Sequence, residues 1–153
     1  MRYFVDSSAV VKRYITEIGT PWFQSLMKNV KPRLIFVSKI TGAEVIAAFS
    51  RRLRTKEISA TAYHTAVVSF ERDFQHYYSQ IAVTDAVITN AMQLAKFHPL
   101  RGYDSVQLAS TLLLKRRLHQ MGQPDFTFIS ADENLCQIAV LEGLHIENPN
   151  LHS

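Results

Sequence analysis

Short apolar runs alternate along this chain with longer stretches in which apolar residues recur every three or four positions. Arg2 to Val5 is brief, apolar and aromatic, which predicts a buried strand. It ends at Asp6-Ser7-Ser8, residue types that cap helices, so a helix is predicted from Ala9 to Ile15. Thr20-Pro21 predicts a second helix, with Thr20 as the cap and proline at the first helical position. Leu34 to Val37 predicts a second buried strand, feeding a long helix whose apolar stripe includes Val45, Phe49 and Leu53. Ser59 opens another helix, which runs through Val67, Val68 and Phe70 towards Tyr77. Ile81-Ala82-Val83 predicts a short strand, followed by a helix capped at Thr84 or Asp85. Gly102 divides that helix from the next, Tyr103 to about His119. Phe126 to Ile129 has the β-branched and aromatic character of a strand. A helix from Asp132 to Glu142 and a strand at Leu144 to Ile146 complete the order.

Strands alternating with helices predict the α/β class: a central parallel sheet of about four to five strands, flanked by helices on both faces. The 153 residues suit one domain spanning 1–153, and five glycines and five prolines spread along the chain announce no linker. Hydrophobic residues at 47% and charged residues at 20% are the proportions of a folded protein and exclude a disordered one. The lone cysteine, Cys136, excludes an intramolecular disulfide and a cysteine metal cluster; its apolar helical setting predicts a core residue. Met1 leads straight into the first strand, and no uncharged apolar run approaches the ~18 residues of a membrane span. No membrane partner and a cytoplasmic location are therefore expected. The net charge of +4 suits a phosphate-bearing partner, though many basic proteins never meet one.

The acids change the picture more than the charge does. In an open parallel sheet, ligands bind beyond the carboxyl ends of the strands. Asp6 follows the first strand directly, and Asp132 stands three residues past Ile129. Glu44 lies early in the helix after the second strand, and Asp104 lies in the first turn after Gly102. Each alone is explained as a helix cap or a partner of the helix dipole, as Asp85 and Glu133 are. Four carboxylates on one rim repel one another and are stable together when a cation neutralises them. All-oxygen donors select Mg²⁺ or Mn²⁺, whose chemistry at such sites is phosphodiester hydrolysis.

These motifs resemble PIN-domain ribonucleases, and especially the VapC-type toxins of toxin–antitoxin pairs. The resemblance covers nearly the whole chain. Tyr3-Phe4-Val5-Asp6-Ser7-Ser8 is similar to the family's first motif, and Glu44 to its helical glutamate. Leu100-Arg101-Gly102-Tyr103-Asp104-Ser105-Val106-Gln107-Leu108-Ala109 resembles the third-acid motif, and Ser130-Ala131-Asp132-Glu133-Asn134-Leu135 the C-terminal signature. The resemblance implies that Asp6, Glu44, Asp104 and Asp132 bind Mg²⁺ or Mn²⁺ and catalyse RNA cleavage by activated water, leaving a 3′-hydroxyl and a 5′-phosphate. It assigns supporting roles to the hydroxyls of Ser7 and Ser130. It also implies a homodimer and inhibition by a VapB-like antitoxin. One departure is Gln107, where many relatives carry His one turn beyond the third acid.

Lys12 and Arg13, just after the first motif, and Arg51, almost two turns past Glu44 on the same face, are candidates to contact RNA phosphates. Basic residues on a solvated helix face are the plainer reading of Arg51, Arg52 and Arg54. The six histidines show no paired metal-binding spacing. A haloacid-dehalogenase-like phosphatase needs a second Asp where Ser8 stands, and no phosphate-binding loop of the Gly-x-x-x-x-Gly-Lys type is present. The rival from another class is a non-catalytic PIN-like module that binds RNA or a partner, against which the complete set of acids speaks.

Overall fold

The computed structural model describes residues 1–152. Five strands form one parallel sheet: β1 (Tyr3–Val5), β2 (Ile35–Ser38), β3 (Ser79–Ile81), β4 (Thr127–Ile129) and β5 (Ile146–Glu147). Their order is β3-β2-β1-β4-β5, so β1 is central and pairs in parallel with both β2 and β4. The helices between them are α1 (Ser7–Tyr14), α2 (Thr20–Lys28), α3 (Thr41–Arg54), α4 (Ala60–His76), α5 (Asp85–Phe97), α6 (Gly102–Gln120) and α7 (Glu133–Leu141). A 3₁₀ turn, Pro149–Leu151, follows β5. The α/β class and the five-stranded parallel sheet match the expectation from sequence.

Side chains alternate across the sheet, and both sides are apolar because both are covered. Tyr3, Val5, Ile35, Val37 and Ile129 face a core built with α1 to α4, including Phe23, Phe49 and Phe70. Phe4, Phe128 and Ile81 face a second core built with α5 to α7, including Leu108, Leu114 and Leu135. Phe4 and Phe128 are neighbours across the β1–β4 pair, with ring centroids 6.0 Å apart. Cys136 is buried in the described structure, and burial pushes its thiol up to about 11. No helix among the described residues is long and apolar enough to cross a membrane.

Three boundaries differ from expectation for local physical reasons. Thr20 is the first residue of α2 and not its cap; its hydroxyl accepts from Glu17 N–H and donates to the Ile15 carbonyl. Gly19 takes the cap position with φ +83, a left-handed conformation suited to glycine. The third strand lies at Ser79–Ile81 instead of 81–83, because its register is set by pairing with Phe36 to Ser38 at the sheet edge. Leu144 is not in the last strand. Its N–H reaches back to Ala139 O and Gly143 N–H to Val140 O, a Schellman stop that ends α7 with Leu144 tucked into the core. In addition, Gly102 starts α6 instead of separating it from α5; the break is the segment His98 to Arg101.

Candidate active site

The order of the strands reverses beside β1: the chain leaves it for β2 on one side and meets β4 on the other. The crevice at such a switch point, beyond the carboxyl ends of the strands, is where open parallel sheets bind ligands. Here it is an open cavity of about 600 Å³. Asp6, Glu44, Asp104 and Asp132 all line it.

Each acid reaches the cavity from the start of a different helix. Asp6 is the N-cap of α1, Glu44 lies in the first turn of α3, Asp104 in the first turn of α6, and Asp132 is the N-cap of α7. The positive ends of four helix dipoles therefore converge on the carboxylates and stabilise negative charge there. Capping and facing the cavity are not alternatives. Asp132 caps α7 with Oδ1, 2.8 Å from Leu135 N, and leaves Oδ2 towards the cavity side.

Asp6 is the most constrained of the four. Its N–H donates to Ile129 O, carrying the β1–β4 ladder one residue further. Its Oδ1 accepts from Ser8 Oγ at 2.6 Å and Ala9 N at 3.3 Å, and its Oδ2 accepts from Ser130 Oγ at 3.1 Å. Ser130, fully buried, also accepts from Asp132 N at 3.1 Å, so one hydroxyl ties two of the acids together. Burial pushes the Asp6 carboxyl up to about 7; the hydrogen bonds from Ser8, Ser130 and Ala9 oppose the rise, and the Asp104 charge adds to it.

Glu44 is held by Gln107, whose Nε2 stands 2.8 Å from Glu44 Oε1, 2.9 Å from Thr41 Oγ1 and 3.0 Å from Ser7 Oγ. An amide has two N–H groups, so it serves two of these three acceptors at a time. Gln107 Oε1 is buried and has no partner. Burial raises the Glu44 carboxyl, with Gln107 and Ser7 opposing and Asp104 adding to the rise. Asp104 is likewise raised, first by burial and then by Asp132, with Arg101 opposing.

The basic candidates divide. Arg51 is exposed and lines the cavity. Lys12 also lines it but is buried, its Nζ donating to Glu17 Oε1 at 3.0 Å and to Ile18 O at 2.7 Å. Arg52 pairs with the other oxygen of Glu17 at 3.0 Å. Arg13 is not where the sequence reading put it. One residue along a helix turns the side chain by about 100°, and the Arg13 guanidinium lies 4.5 Å from the Tyr77 ring centroid and 3.7 Å from Asp73. It does not line the cavity.

Sequence reasoning missed two residues at the rim. Arg101 reaches Asp104 Oδ2 with Nε at 3.3 Å and Asp132 Oδ2 with Nη2 at 3.5 Å. Its spacing of three from Asp104 was the available signal. Tyr103, 62% exposed, presents an aromatic face beside the acids.

Among the described residues, no three His, Cys, Asp or Glu side chains stand as a ready metal-ligating group. The acids are engaged instead by Ser8, Ser130, Gln107 and Arg101. The chemistry of the donor set nevertheless fits a hard divalent cation: four carboxylates face one cavity, and three hold their protons more tightly through burial and mutual repulsion.

Comparison with known proteins gives a consistent picture. No family model matches the chain. Over 112 residues it is 31% identical to ribonuclease VapC45 of Mycobacterium tuberculosis, covering 71% of this chain and 74% of that one. Among solved structures it is similar to M. tuberculosis VapC20, described as a sarcin-ricin loop cleaving toxin, with a TM-score of 0.65 at 14% identity over 93% of this chain and 95% of the other. It is also similar to a chain of VapBC2 from Rickettsia felis, solved bound to a DNA fragment from its promoter, with a TM-score of 0.61 at 13% identity over 97% and 98%.

Proposed function

The chain belongs to the VapC ribonucleases, and from that premise we propose that it is a Mg²⁺- or Mn²⁺-dependent endoribonuclease whose catalytic acids are Asp6, Glu44, Asp104 and Asp132. The observation that carries the reading is the convergence of four helix-start carboxylates on one cavity at the switch point of the sheet. A divalent cation held by these acids would supply a nucleophilic water at neutral pH and offset the charge of the phosphodiester. Ser8 and Ser130 orient Asp6, and Gln107 orients Glu44. Arg51 is placed to attract the RNA backbone, and Tyr103 offers a face on which an unpaired base can stack. Lys12 acts through Glu17, shaping the cavity wall instead of reaching phosphate.

The chain is read as pairing with a VapB-like antitoxin, a reading supported by its family and by its likeness to a chain of VapBC2 from R. felis. Self-association as a homodimer is supported by Ile88 and Met92, one turn apart on α5 and 41% and 59% exposed.

The test is cleavage of structured and unstructured RNAs by the purified, antitoxin-free protein with Mg²⁺ or Mn²⁺, beside Asp104→Asn and a chelated sample. Cleavage by the parent alone, leaving 5′-phosphate ends, is the expected result. Equal activity in Asp104→Asn would refute the assignment of the acids. Binding of metal without cleavage of any RNA would favour the non-catalytic module.

A further inference from the structure

The least explained feature of the cavity is a cation that the chain supplies itself. Asp104 and Asp132 face each other across the rim, and the Arg101 guanidinium bridges them, one nitrogen to each Oδ2. The side chain is 82% exposed, so this bridge is not enforced by packing. Its backbone is held in place. Asn134 Nδ2 donates to Pro99 O at 3.1 Å, and His98 meets Glu142 at 2.7 Å, fastening the segment before α6 to α7. The arrangement is a fixed stem carrying a swinging charge.

We propose that Arg101 is an internal counter-ion that competes with the divalent cation for Asp104 and Asp132, and that once displaced it binds the substrate phosphate. The inference rests on the metal-dependent reading above. A divalent cation held by these carboxylates would repel a guanidinium lying 3.3 and 3.5 Å from their oxygens. The guanidinium must then leave, and its tether keeps it at the rim of the cavity. There its planar fork matches a phosphodiester oxygen pair. Metal loading thus removes a cation from the acids and delivers one to the RNA. The other cavity cations do not share this property: Lys12 and Arg52 are both held by Glu17, and Arg51 lines the cavity without pairing with any of the four acids.

The experiment titrates the purified protein with Mn²⁺ alone, followed by electron paramagnetic resonance. The samples are the parent, Arg101→Gln, Arg51→Gln and Asp104→Asn. Arg101→Gln is expected to bind Mn²⁺ roughly five-fold more tightly, because the metal no longer has to break a guanidinium–carboxylate pair worth about 1 kcal/mol at ~4 Å in water-like surroundings. Arg51→Gln removes the same charge from the cavity without touching an acid, and is expected to change the affinity less than about two-fold. Mn²⁺ binding that is lost in Asp104→Asn but unchanged in Arg101→Gln overturns the proposal and leaves the metal site standing. Mn²⁺ binding absent from the parent, or indifferent to Asp104→Asn, overturns both. At saturating Mn²⁺, Arg101→Gln is expected to cleave RNA with kcat/KM at least ~10-fold lower, and Arg101→Lys to recover part of the loss. An unchanged kcat/KM overturns the phosphate-binding half.

Discussion

Replacing Asp6 by Asn should abolish cleavage and yet make the metal-free protein more stable at neutral and alkaline pH. The Asp6 carboxyl is 3% exposed and titrates at about 7 instead of 3.8. That displacement corresponds to about 4 kcal/mol of penalty on holding the charge in the folded state. Its folded value lies above its unfolded one, so the folded state keeps the proton more tightly. The associated stability is complete below about pH 4 and drains away as pH rises through about 7. Asparagine cannot ionise and escapes this loss. It keeps one acceptor oxygen for Ser8 or Ser130 and forfeits the other bond, at a cost of about 1–2 kcal/mol. Urea denaturation in chelator, from pH 4 to pH 8, measures both effects. The stability of Asp6→Asn relative to the parent should climb by about 4 kcal/mol across that range. At pH 8 the variant should end about 2–3 kcal/mol ahead. A difference that stays flat with pH would refute the account of a carboxylate strained by burial. Added Mg²⁺ should stabilise the parent and leave the variant nearly unmoved.

Two further substitutions probe the surroundings of the acids. Gln107→Leu keeps the volume but leaves Thr41 and Glu44 without their buried donor; a loss of about 1–3 kcal/mol by denaturation is expected. The acidic limb of its pH–rate profile should move to higher pH, because the group that restrains the Glu44 carboxyl is gone. Gly19→Ala places a Cβ 2.4 Å from the Pro149 carbonyl oxygen at φ +83, and should cost at least about 2 kcal/mol in thermal unfolding. Wild-type stability in that variant would show that the turn before α2 relaxes freely.

The local features of this fold were legible in the sequence. Asp6, Ser59, Thr84 and Asp132 cap the helices that follow them, because a cap depends on residues three positions away. The apolar runs gave β1, β2 and β4, which are buried on both faces. β3 was displaced because an edge strand reading Ser79-Gln80-Ile81 lacks that apolar signature. Within the site, all four predicted acids line one cavity. Their partners were not legible, since Gln107 to Glu44 spans 63 residues and Ser130 to Asp6 spans 124. The same reason hid the fate of Arg13, whose neighbours Asp73 and Tyr77 lie at the C-terminal end of α4, about sixty residues away. Charge near a motif indicated which cations were available, and only tertiary packing decided which were already spoken for.

The central position of β1 bears on how the protein comes to be made. Tyr3 pairs with Thr127, so β1 leaves the ribosome well over a hundred residues before the strand that completes its hydrogen bonding. The Ser130 hydroxyl that grips Asp6, and Asp132 itself, emerge later still. Chain growth at ~5–20 residues per second leaves several seconds in which the N-terminal half exists without its partner strand. During that interval the cavity lacks one wall and at least one of its four acids, Asp132 throughout and Asp104 until α6 has been made. The cavity is therefore complete only once the C-terminal part of the chain has joined the sheet. The long-range pairing also delays folding itself, because closing so large a loop precedes its reward.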